Sequence, residues 1–110
     1  MNIEKLFAEW RSSVDEAAKA KANVIYLTEF RKSKKAILMQ EAQVKGLKTG
    51  QERESYAYAH KEYLELLLGL KVAVETHESL RNRMTIAQER IGIYRTHEAN
   101  KRKEFGNYGN

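Results

Sequence analysis

The chain contains no cysteine and no proline, and only one tryptophan, three phenylalanines and six glycines in 110 residues. The missing cysteine excludes disulfides, thiolate metal sites and a thiol nucleophile. The missing proline removes the strongest helix breaker. Long hydrophobic runs are also missing. The longest greasy stretch, residues 64–74, is interrupted by Glu65, Gly69 and Lys71, and falls well short of the roughly 20 residues that span a bilayer. Residues 1–5 carry no basic segment leading into a long apolar core, so no signal peptide is expected. The expectation is a soluble intracellular protein with no membrane contact.

What is present is charge and helical periodicity. Twenty Lys/Arg against fifteen Asp/Glu give a formal charge of +5 and a pI near 9.5. A hydrophobic fraction of 42% at this length supports one folded domain rather than two or a disordered chain.

The punctuation divides the chain into four segments and a tail. In residues 1–12, Ile3, Leu6, Phe7 and Trp10 form an apolar stripe that Asn2 can cap. Ser13-Val14-Asp15-Glu16 reads as a capping box, so residues 1–12 are read as an N-terminal amphipathic arm and residues 13–45 as a helix. A single helix running through remains open on these residues. The apolar positions continue through Val24, Ile25, Leu27, Phe30, Ile37, Leu38 and Ala42. Residues 46–50 form a turn: Gly46 suits the left-handed position past a helix end, Leu47 can fold back on Ala42, and Thr49 with Glu52 forms a second capping box. A helix stop and a helix start this close specify an antiparallel αα-hairpin. The return helix covers residues 51–104, and residues 105–110 are expected to fray.

The return helix carries Leu66, Leu70, Ala73, His77, Leu80, Met84, Ala87, Ile91 and Tyr94 at alternating steps of four and three, the seam of coiled-coil-like packing. The fold expected is therefore all-α: a long antiparallel helical hairpin, with or without a short N-terminal helix, assembling into a helical bundle. Leu64, Leu68 and Val72 form a second apolar set beside the seam. A helix apolar on two faces is buried on two faces, so these three residues are the expected interface of a homodimer.

Motifs for chemistry are absent from the sequence. There is no phosphate-binding glycine loop, nucleophile elbow or HExxH pair. His77 at a seam position reads as a packed histidine, and Glu62, Glu65, Glu75 and Glu78 read as solvated helix faces. No catalytic site, metal or cofactor is expected. The remaining signal is basic. Between residues 31 and 48, six cations (Arg31, Lys32, Lys34, Lys35, Lys45 and Lys48) face one acid, Glu41. Between residues 81 and 103, seven (Arg81, Arg83, Arg90, Arg95, Lys101, Arg102 and Lys103) face two, Glu89 and Glu98. Such stripes attract phosphates without reading bases. Arg31, Lys34, Lys35, Lys45, Lys48, Arg81, Arg83, Arg90, Arg95 and Arg102 are the candidate residues for nucleic-acid or partner binding.

YLTEFRKSKKAILM (26–39), ESYAYAHKEYLELLLGL (54–70) and RTHEANKR (95–102) resemble segments of a family of small tailed-phage proteins encoded among early recombination and replication genes. The resemblance implies a host-cytoplasmic phage early protein. Such a protein would act without catalysis on nucleic acid or on a recombination or replication protein. The alternative is a small inhibitor of a host nuclease or CRISPR defence complex.

Overall fold

The structure, a computed structural model, describes residues 2–108. Three helices account for it: α1 (Ile3–Val44), α2 (Gly50–Ala59) and α3 (Lys61–Tyr108), with no strand among the described residues. The fold is an all-α helical hairpin. The chain divides into two compact units, one made by Lys19–His77 and one by Met1–Ala18 with Glu78–Asn110.

In the Lys19–His77 unit, α1 ends in a Schellman motif. Gly46, at φ +97°, is the left-handed residue. Its N–H donates to the Gln43 carbonyl at 3.0 Å, and the Leu47 N–H donates to the Ala42 carbonyl at 3.1 Å, so two of the helix's orphan carbonyls are satisfied. Thr49 then caps α2, its hydroxyl accepting from the Glu52 N–H at 3.1 Å. The reciprocal half of the capping box is displaced by one residue: the Glu52 carboxylate accepts from Lys48 N–H at 3.3 Å. Arg53 closes the turn from the other side, donating to the Leu47 carbonyl at 2.9 Å and the Lys48 carbonyl at 3.3 Å.

The core of this unit is Leu38, Ala57 and Tyr63, with Met39 and Leu67 packed against it. Ala42 and Ala57 are fully buried. A methyl group at each of these positions leaves room only for close helix packing. Leu38 is 1% exposed, a burial that contributes about 2 kcal/mol. The return side continues through half-buried Leu66, Leu70 and His77 and buried Ala73.

In the other unit, Leu6, Ser13, Ala17, Ala87 and Ile91 are buried, and Trp10, Leu80, Met84 and Tyr94 are half-buried. Every member of the 66-to-94 seam is thus buried or half-buried. Asn2 caps α1, its side-chain oxygen accepting from Glu4 N–H at 3.0 Å and Lys5 N–H at 3.3 Å.

One open boundary is decided and two expectations are corrected. Residues 1–12 are not a separate arm, because α1 passes through Ser12 and Ser13 without a break. Ser13 keeps helical backbone and turns its hydroxyl back to the Glu9 carbonyl at 2.8 Å, so it donates along the helix instead of accepting at a new N-terminus. Residues 51–104 are not one helix. His60 is extended (φ −68°, ψ 138°) and separates α2 from α3. It serves both ends: its N–H donates to the Ala57 carbonyl at 3.2 Å, its carbonyl accepts from Leu64 N–H at 3.1 Å, and its Nδ1 accepts from Glu62 N–H at 3.0 Å. The expected frayed tail is helical as far as Tyr108, and residues 109–110 lie outside the described residues.

Candidate functional site

The basic candidates fall into two groups, one in each unit. In the Lys19–His77 unit, helical spacing puts Arg31 and Lys34 on the seam side of α1, between Leu27 and Leu38, and both are half-buried. Lys34 reaches across to Glu62 on α3, Nζ to Oε2 2.8 Å. This ammonium is the main reason the Glu62 carboxyl titrates below its usual range. Lys35 pairs with Glu54 at 3.0 Å and stands 4.8 Å above the Tyr58 ring. Tyr58, and then Glu54, hold its ammonium above the usual lysine range. Lys45 donates to the Tyr56 hydroxyl at 2.8 Å, which raises its pKa, and lies 3.9 Å from Glu41. Lys34, Lys35 and Lys45 therefore have partners within the fold. Arg31 and Lys48 make no side-chain ion pair among the described residues.

Histidine and tyrosine organise the same end. The His60 ring meets Tyr56 edge-on at 5.7 Å, and its Nε2 lies 3.6 Å from the Glu41 carboxylate. Because Nδ1 accepts a backbone N–H, the proton of the neutral ring sits on Nε2, facing Glu41. The Tyr58 and Tyr63 rings meet edge-on at 5.4 Å.

In the second unit, acidic residues of α1 meet the basic run of α3. Arg83 lies 3.9 Å from Glu16, and Arg90 lies 4.0 Å from Glu9. Arg95 lies 5.9 Å from the centroid of the Phe7 ring, a cation–π contact. Arg81 faces Glu78 at 3.8 Å, and Arg102 donates to the Glu98 carbonyl at 3.4 Å. These arginine and carboxylate groups are largely exposed, so their pairing is loose and screened by salt. An open groove of about 430 Å³ runs between the two ion pairs, lined by Ser12, Ile86 and Ala87 among others.

The charge of the two units differs. Lys19–His77 holds 11 Lys/Arg against 7 Asp/Glu, net +4, whereas Met1–Ala18 with Glu78–Asn110 holds 9 against 8, net +1. The α3 run that reads as strongly basic in isolation is offset by Glu4, Glu9, Asp15 and Glu16 on α1.

Leu64, Leu68 and Val72 are exposed on α3. A second exposed row, on α1, is not separated from the core positions by sequence pattern. Tyr26, Phe30, Ile37 and Val44 are all exposed, and the Tyr26 and Phe30 rings stack at 5.9 Å with a 9° interplanar angle. No helix of the described residues is long and apolar enough to cross a membrane. No family model, curated protein or solved structure matches this chain.

Proposed function

We propose that the protein is a non-catalytic phage early accessory protein. It works as a homodimer and binds nucleic acid, or a recombination or replication protein, through the cationic surface of its turn-bearing unit. The observation that carries this reading is the net +4 of Lys19–His77 beside the near-neutral second unit. Among the described residues, Lys48 is exposed at the turn with no ion-pair partner, and Lys32 is exposed with a short-range pair to Glu29 at 3.2 Å. Exposed ammonium groups of this kind support phosphate contacts. Docking of this kind rests on counterion release: it is insensitive to sequence and falls steeply with salt. The phage context comes from the sequence resemblance alone.

Titrating labelled single- and double-stranded DNA at low and rising salt tests the reading. Binding that weakens with salt is expected, with Lys48→Glu and Lys32→Glu each weakening it and lowering the salt slope by about one. Absence of binding at low salt overturns the nucleic-acid form.

The exposed row Leu64, Leu68 and Val72 favours a second reading, a small inhibitor that docks on a host nuclease or CRISPR complex. Apolar side chains add nothing to phosphate binding but suit a protein surface. A pull-down from host lysate that returns one nuclease complex, and loses it with Leu68→Lys, distinguishes the two.

A further inference from the structure

The reading above includes a homodimer, and the inference here rests on that part of it by naming the surface involved. Tyr26, Phe30, Ile37 and Val44 are 63%, 37%, 53% and 89% exposed. On an α-helix with about 100° per residue they fall within about 40° of one another. Leu27 and Leu38, on the buried side, lie about 100° round from that line. Helix α1 therefore bears two apolar lines, and its hairpin partner covers one. The steps between these residues are four, seven and seven. That heptad spacing is the condition for keeping a second long helix in contact along a straight seam.

The row on α3 does not meet that condition. Leu64, Leu68 and Val72 step by four each time, so the line turns by about 80° over two steps. It also covers only about 12 Å of helix, against about 27 Å from Tyr26 to Val44. A surface of the latter length and one helix diameter in width, mirrored on a partner, hides on the order of 1,000 Å² in total, the lower bound for a specific interface. An area at that bound suits a weak, reversible dimer.

We propose that Tyr26, Phe30, Ile37 and Val44 form the seam at which α1 of one copy packs against α1 of a second copy, antiparallel across a two-fold axis near Ser33. The second copy is the occupant because one operator then covers the same row in both chains. The antiparallel sense sets the aromatic half, Tyr26 and Phe30, against the aliphatic half, Ile37 and Val44. Large side chains thus face smaller ones, as close packing requires.

Sedimentation velocity from low to several hundred micromolar tests the proposal. The natural chain is expected to shift from monomer to dimer over that range. Phe30→Lys with Ile37→Lys should leave it monomeric, with far-ultraviolet circular dichroism unchanged. Leu64→Lys with Leu68→Lys should leave the dimer in place. Because the chain has no cysteine, Ser33→Cys supplies a check on geometry that leaves the row itself intact. Under mild oxidation it should form an interchain disulfide well ahead of a Glu75→Cys control. A natural chain that stays monomeric throughout removes both this seam and the homodimer of the reading above. A dimer that survives the α1 changes but is lost with the α3 changes keeps the homodimer and overturns this proposal, as does equal cross-linking at positions 33 and 75.

Discussion

The Lys34 ammonium lies 2.8 Å from the Glu62 carboxylate, joining α1 to the first turn of α3 on the side of the seam. A residue that reads in sequence as part of a cationic docking stripe is thereby held within the fold. Its partner is the second residue of a helix that begins only because His60 interrupts the return arm of the hairpin.

This pair makes the fold sensitive to acid. The Glu62 pKa is lower in the folded chain than in the unfolded one. Its contribution to stability is therefore present above the unfolded carboxylate range, near pH 4.3, and is lost as pH falls through the lower folded value. Glu62→Gln should lower the urea midpoint at pH 7, and the difference from the natural chain should shrink below about pH 4. A difference that does not change with pH would show the pair to be energetically silent.

Gly46→Ala places a side chain on a residue with φ +97°. Nothing lies within 4 Å of an added Cβ, so the cost is that of the backbone conformation alone, about 1 kcal/mol. Equilibrium denaturation should show this loss with an unchanged denaturant slope.

Leu38→Ala empties the most buried large side chain of the turn-bearing unit. A loss of about 2–5 kcal/mol is expected. Ile37→Ala, one residue away and 53% exposed, should cost far less in a monomer. Thermal melts of the two at low concentration check the contrast.

His60→Ala removes the side-chain acceptor of the Glu62 N–H and should cost about 1 kcal/mol. His60→Asn, a good N-cap by residue type, should recover most of it. Equal losses in the two variants would locate the value of His60 in its ring contact with Tyr56 instead.

Much of this architecture is legible in the residues. The Schellman turn at Ala42–Leu47, the Asn2 cap and the 66-to-94 seam all follow from patterns whose physical cause is local. The interruption at His60 is not legible, because histidine has no strong breaking tendency; the break depends on its ring accepting from Glu62 and meeting Tyr56 and Glu41. Ser13 misleads because serine, two residues and a glutamate fit a capping box equally well when the serine hydroxyl bonds backwards inside a helix. The buried line of α1 through Leu27 and Leu38 is obscured by charge. Arg31 and Lys34 fill two of its steps, so Phe30 and Ile37 pass for core while they lie exposed. The basic run of α3 overstates its field because its acidic counterweights sit some seventy to eighty residues away in the chain.

The Lys34–Glu62 contact also restricts how the two rods can slide. Moving α1 by one heptad along α3 would again set apolar positions opposite apolar positions, because the stripe repeats every seven residues. It would also carry the Lys34 ammonium about 10 Å along the helix from Glu62. In a hairpin whose apolar repeat tolerates slippage, an ion pair between the helices favours one alignment over the others.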